Sequence, residues 1–274
     1  MKFGNNIEID NLTYEERIIA FIDILGFRNL VNETVEKDFV NQAKLTSLVK
    51  ALNLINEEFE SLIRAGELPY SFMITYFSDS IVLSLPKVNT VGLLSVFEVL
   101  KRIQIKLVNF EILLRGGIVV GKVIHQPNFI LGPAMIEAYD LESKSALYPR
   151  ITIDPDIMEI LVRQSEMTDE LYSVKEFDFH KTFEADFDNT YYIDYFSDVT
   201  YYLDDQDVKN YYQKLRQLIK KGVKRKNIGI RMKYMWMLKK FNQGKPSHIK
   251  GMAYKEFDEL GEQIGRSLLA NSHL

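Results

Sequence analysis

Two apolar runs, YSFMITYF (70–77) and SIVLSLP (80–86), are separated by only Ser78 and Asp79. So short a connection between β-favouring runs predicts an antiparallel hairpin, which makes the two strands neighbours. Around it the apolar pattern changes in a definite order. RIIAFIDIL (17–25) reads as a strand ended by Gly26. Residues 36–65 recur at helical spacing through Phe39, Leu45, Leu48, Leu52, Ile55 and Phe59, and Gly66 stops them. After the hairpin, 91–109 reads as a second helix and 111–125 as a strand bent or opened by glycines. A helix over 133–147, with Pro133 in its first turn, precedes a short strand over 149–154. The order βαββαβ followed by more α and β predicts an α+β fold. Its core is a ferredoxin-like antiparallel sheet with strand order 4-1-3-2.

Farther on the texture shifts. YYIDYF (191–196) is strand-like, a basic helical stretch covers 206–241, and 246 to the end reads as a final amphipathic helix. The expected partition is a domain over 1–200 and a helical extension over 201–274 packed on it. From Lys214 to Lys240 there are eleven Lys and Arg and no Asp or Glu. A nucleic-acid patch is one reading; the preferred one is a structural helix with a solvated basic face. Its packed side is expected at Ile219, Val223, Ile230, Tyr234 and Leu238, with Met235 and Trp236.

Composition excludes more than it selects. Hydrophobic residues make up 46% and charged residues 26% of the 274, ordinary for a globular chain with a real core. A net charge of −4 gives no general case for nucleic-acid or anionic-membrane binding. The absence of cysteine removes disulfides and thiolate metal sites. His125, His180, His248 and His273 show no metal-ligand spacing. The N-terminus lacks the apolar core of a signal peptide, and no run approaches the roughly 18 apolar residues of a membrane span. A cytoplasmic location, with no membrane partner, is the simplest expectation.

Against that background AFIDILGF (20–27) stands out, because seven of its eight residues are apolar or glycine and the eighth is Asp23. A buried carboxylate needs a partner or a metal. In the 4-1-3-2 order the C-terminal end of the first strand lies beside the start of the third. Asp23 and Asp79 therefore meet at one sheet edge. Two facing carboxylates repel each other, and a hard divalent cation reverses that sign. Paired cations of this kind suit phosphoryl chemistry. A strand cap for Asp23 and a turn role for Asp79 are the plainer alternatives.

Four stretches decide for the metal. FIDILGF, YFSDSIV, RGGIVVGKV (115–123) and ILGPAMIEAYDLES (130–143) resemble, in order, the motifs of class III nucleotidyl cyclases across residues 17–154. The resemblance implies that Asp23, Asp79 and the carbonyl of Ile24 hold two Mn²⁺ or Mg²⁺ ions. It also implies that the backbone of Gly26 and Phe27 and the side chain of Arg115 contact phosphates. The pattern departs where purine cyclases carry a transition-state asparagine and arginine, here Ile136 and Asp140. It departs again where cyclases that make cyclic AMP carry a base-reading lysine and aspartate, here Thr75 and Phe129. GPAxxxAYxLE, YPRIxID and KYxWxLxxFN (233–242) resemble instead the pyrimidine cyclases of bacterial Pycsar anti-phage systems. Those convert UTP or CTP to a 3′,5′-cyclic nucleotide that a separate effector reads. The resemblance implies a head-to-tail homodimer with residues contributed in trans. Thr75, Tyr76 and Phe129 stand near the base, and Lys221, Lys224 and Arg225 are candidates to replace the missing arginine. The alternative reading is a cyclase-fold nucleotide sensor without turnover.

Overall fold

The computed structural model describes residues 12–36, 39–127, 129–167 and 179–244. Its first strand, β1 (Glu15–Ile24), lies inside the sheet because both its faces are apolar. Ile18, Ala20, Ile22 and Ile24 enter the larger core cluster, and Ile19 and Phe21 enter a smaller one on the other face. That is the period-two alternation of a strand covered on both sides.

A short helix, α1 (Phe27–Asn32), and two two-residue strands, β2 (Val35–Glu36) and β3 (Phe39–Val40), precede α2 (Gln42–Ala65). The helix expected from residue 36 thus begins at 42. There the Asn41 side chain accepts the Lys44 N–H at 3.2 Å, satisfying one of the orphan donors of the first turn. Phe39, expected on its apolar stripe, lies exposed in β3. Leu48, Ala51, Ile55, Phe59 and Leu62 form the buried stripe. The hairpin follows as β4 (Met73–Tyr76) and β5 (Ser80–Pro86), then α3 (Thr90–Leu107) and the long β6 (Leu114–Gln126). After β7 (Phe129–Leu131) comes α4 (Pro133–Asp140), continued by a π turn at Leu141–Ser145. The remaining elements of this unit are β8 (Ile151–Ile153), α5 (Pro155–Met167), α6 (Phe179–Thr182), β9 (Phe183–Ala185) and β10 (Tyr191–Ile193).

The sheet order is β4-β5-β1-β6-β8-β10-β9, with β7 paired to β6. Each neighbouring pair among its first four strands is antiparallel. Read from β6 they are the expected 4-1-3-2 order of a βαββαβ core. The fold is α+β, and the sheet grows past that core through β8, which runs parallel to β6.

The chain divides into two units, Met1–Asp194 and Tyr195–Leu274. In the second, the single basic helix expected over 206–241 is two helices, α7 (Asp205–Gly222) and α8 (Ile228–Gly244). They close on each other at Gly222, where an added Cβ would fall 1.9 Å from the Tyr234 ring. The Tyr212 hydroxyl donates to the Phe196 carbonyl at 2.9 Å, and the Phe196 ring meets Trp236 edge-on. Ile219, Val223, Trp236 and Leu238 are buried as expected, whereas Ile230 is exposed. Lys221, Lys224 and Arg225 are exposed. The amphipathic helix expected from 246 lies outside the described residues. Among the described residues no helix is long and apolar enough to cross a membrane.

Candidate functional site

Asp23 occupies the last turn of ladder on β1, opposite Ser80 of β5 on one side and Arg115 of β6 on the other. The next two residues fasten the strand end to both neighbours. The Ile24 N–H donates to the Asp79 carbonyl at 2.9 Å, and the Leu25 N–H donates to the Leu113 carbonyl at 2.9 Å. Strand pairing alone therefore brings Asp23 and Asp79, 56 positions apart in sequence, to adjoining backbone positions. Arg115 Nε donates to Asp23 Oδ2 at 3.0 Å and stands 2.6 Å from Glu142 Oε1. Glu142 is only 2% exposed and Asp23 15%, so this cation neutralises carboxylates that water barely reaches. The two terminal nitrogens of Arg115 donate no hydrogen bond among the described residues, and the side chain is 25% exposed. Half of the guanidinium fork is thus open to an anion.

Glycine places Glu142. An added Cβ on Gly117 would meet the Ala138 carbonyl at 2.7 Å and Leu141 Cβ at 2.8 Å; at Gly121 it would meet Ala134 Cβ at 3.1 Å. The two glycines share one face of β6 and let α4 lie against the strand. The π turn then widens the helix end beside Gly117 and turns Glu142 inward to Arg115. Single π turns recur where a side chain has to be re-aimed at a site.

The expected base residues do not converge within one chain. Thr75 and Tyr76 are consecutive on β4, so they point to opposite faces. Tyr76 joins Leu52, Asn56, Ser78 and Asp79 around a pocket of about 160 Å³ on the α2 side. Burial, with the Glu60 carboxylate, pushes its phenol up to about 12. Thr75 lies on the other face with His125 of β6, whose Nε2 is 2.9 Å from its hydroxyl. His125 Nδ1 is 2.8 Å from the Ser84 hydroxyl, to which Arg17 Nε donates at 2.9 Å. Burial, then the Arg17 charge, brings the imidazole down to about 4. Phe129 sits opposite Gln126, on the other side of the β6–β7 hairpin from the His125–Ile130 pair. Gly26 adopts φ 77°, and its carbonyl accepts the Asn29 and Leu30 N–H groups at the start of α1. Phe27 is the first residue of that helix.

Ile136 is exposed on α4, and Asp140 pairs with Lys144 one turn on at 2.7 Å. Glu142, His125, Ser84 and Arg17 were not singled out as site residues from sequence. Glu142 lies within the DLES string, and His125 ends the glycine-bearing strand.

Among the described residues no group of three or more His, Asp or Glu side chains is arranged as a metal cluster. The donors at the β1–β5 edge are nonetheless the type a hard cation takes. Mg²⁺ is commonly held by one or two carboxylates and completed by substrate phosphates and water. Asp23 and Asp79 fit that donor set.

No family model and no curated protein matches the chain. Solved structures with partial similarity include the adenylyl cyclase CyaB from P. aeruginosa, at 15% identity and TM-score 0.40 over 55% of this chain and 82% of that one. A bacterial light-regulated adenylyl cyclase is similar at 14% identity and TM-score 0.38 over 54% of this chain and 45% of its own. The catalytic core of a rhodopsin-guanylyl cyclase with converted specificity, solved with ATPαS, is similar at 16% identity and TM-score 0.35, over 54% of this chain and 81% of that one.

Proposed function

We propose that the chain is a metal-dependent nucleotidyl cyclase acting on a pyrimidine nucleoside triphosphate, UTP or CTP. Asp23 and Asp79 would hold two Mn²⁺ or Mg²⁺ ions with the carbonyl of Ile24. The observation that carries the reading is the strand edge itself: two aspartates joined through the 2.9 Å Ile24–Asp79 bond, beside an arginine with an open fork. The ions, when bound, supply positive charge that acidifies the ribose 3′-hydroxyl and offsets charge on the leaving pyrophosphate. Arg115 anchors through Nε and turns its terminal N–H groups to the phosphates; Gly26 and Phe27 offer backbone N–H groups. The 3′-oxygen forms its bond to the α-phosphorus as the bond to the β-phosphate oxygen breaks in line, and the hydroxyl proton passes to solvent. Residues 1–200 form the catalytic part, with 201–274 as its helical extension. A second copy of the chain completes the site, so Thr75 or Phe129 of one copy can meet the base held by the other. The cyclic product serves as a cytoplasmic signal read by a separate effector in anti-phage defence.

The test is direct. Purified protein is incubated with Mn²⁺ and ATP, GTP, CTP or UTP singly, and products are identified by mass. A cyclic pyrimidine monophosphate from the parent, reduced about a thousandfold by Asp23→Ala and by Asp79→Ala, is the expected result. A specific observation favours a second reading. Ile136 and Asp140 give no donor at the transition-state positions, and Asp140 is already tied to Lys144. Nucleotide binding without product from any of the four would establish that sensor instead.

A further inference from the structure

Glu142 is a carboxylate at 2% exposure, set 2.6 Å from Arg115 Nε just inside the π turn that ends α4. The same nitrogen gives its hydrogen to Asp23 Oδ2 at 3.0 Å, so one guanidinium stands between two carboxylates. A buried carboxylate is costly, and Asp23 alone would be enough to balance the arginine. That balance is the difficulty. A one-to-one pair of Arg115 with Asp23 is neutral, and it would leave Asp79 as the single net charge offered to a cation at this edge. With Glu142 the four side chains are three carboxylates against one guanidinium, which leaves two negative charges. Two is what a divalent cation cancels, and the phosphates of a bound nucleotide supply the balance for a second ion. Burial strengthens the effect. With Asp23 15% and Arg115 25% exposed, water screens these charges less than on an open surface.

We propose that Glu142 is the counter-charge of the metal edge: it offsets Arg115, so that the arginine and a divalent cation can share Asp23. Without Glu142, a cation at Asp23 would meet a carboxylate already neutralised by the guanidinium, and like charges would either weaken the cation or push the arginine off. With it, Arg115 stays anchored through Nε while its terminal N–H groups remain for phosphate. Glu142 touches neither cation nor nucleotide and acts through Arg115, so it is a positioning residue. The inference rests on the cyclase reading above, through its cation at Asp23 and Asp79, and adds one residue to it.

The test reads cation affinity directly and needs no turnover. Free Mn²⁺ is followed by its electron paramagnetic resonance signal as the full chain is titrated, alone and with the non-cleavable α,β-methylene UTP. Affinity is expected to follow the local charge. Glu142→Gln should bind Mn²⁺ about tenfold more weakly and Arg115→Met more tightly than the parent, while the double variant, which removes both charges, should return to within about threefold of it. Turnover should split the same variants differently. Glu142→Gln should recover at high Mn²⁺, whereas the double variant should stay slow because the arginine is gone. A Glu142 that served packing alone would lower the urea midpoint and leave Mn²⁺ affinity unmoved. A Glu142 that was itself a ligand would leave the double variant as weak as Glu142→Gln. Either result overturns the inference while the parent's Mn²⁺ site, lost in Asp23→Asn, stands. A parent with no Asp23-dependent Mn²⁺ site removes the metal reading and this inference together. The expected ranking without product from any nucleotide keeps the role of Glu142 and makes the protein the sensor.

Discussion

Arg115 and Arg150 are each gripped by two carboxylates a short distance apart in the same sheet; the Gly116 N–H donates to the Arg150 carbonyl at 3.1 Å. They use the guanidinium differently. Arg150 is fully buried and spends both terminal nitrogens, one on Asp186 and one on Asp188, with the Tyr148 ring 5.6 Å away. Arg115 spends Nε on Asp23 and Glu142 and keeps a quarter of its surface in solvent. The first pins the turn between β9 and β10 to the start of β8. The second leaves donors over for something that arrives. Residue type and partners are alike, so it is exposure and the nitrogen used that separate a structural pin from a site group.

The largest way to sharpen this contrast is Arg150→Met. It removes the cation from a buried pair and strands Asp186, so unfolding in urea should show a loss of about 3–5 kcal/mol. A loss under about 1 kcal/mol would mean that the pair is not holding the sheet end. Next is Gly117→Ala. Its methyl must displace the Ala138 carbonyl or Leu141, and overpacking of this kind destabilises by about 1–3 kcal/mol. Because α4 and the π turn carry Glu142, cyclization should fall with it, whereas the Arg150 cluster, on a different strand, should be untouched.

Acid separates the clusters by a smaller amount. Burial tends to raise the Asp188 carboxyl, but hydrogen bonds from Arg150 and Thr190, with the Arg150 charge, outweigh it and hold it down to about 2. Its unfolded value is near 3.8, so its contribution is complete above that pH and is lost as pH falls through 2. With the side chain one-third exposed, about 1–2 kcal/mol is expected, and Asp188→Asn should flatten that limb of the urea midpoint against pH.

The contrast also shows what could be read from the chain beforehand. The strand order was legible because β1 is apolar on both faces and only three residues, Phe77, Ser78 and Asp79, join β4 to β5, and that order alone brought Asp23 beside Asp79. Strict alternation should equally have separated Thr75 from Tyr76. Glu142 was hidden because it reaches Arg115 through a π turn, which a 3.6-residue period does not foresee. The His125 chain was hidden because it crosses strands far apart in sequence, so only their register aligns it. The break between α7 and α8 passed unseen because Gly222 looks like a tolerated interior glycine until Tyr234 is placed against it.

The smallest effect on stability is the one that bears most on the site. Arg115→Lys keeps a positive charge that can replace the single Nε contact to Asp23 and Glu142, so unfolding should change by less than about 1 kcal/mol. The same substitution at Arg150, where two nitrogens hold two carboxylates, should lose about 2 kcal/mol or more, because one ammonium cannot span both. Function should rank the two in the opposite order. A lysine at 115 anchored on Asp23 has no second arm for phosphate, so cyclization should fall by about a hundredfold with stability nearly unmoved. An Arg115→Lys protein that keeps both its stability and its turnover would make this arginine a pin of the same kind as Arg150, and the phosphates would have to be held from elsewhere.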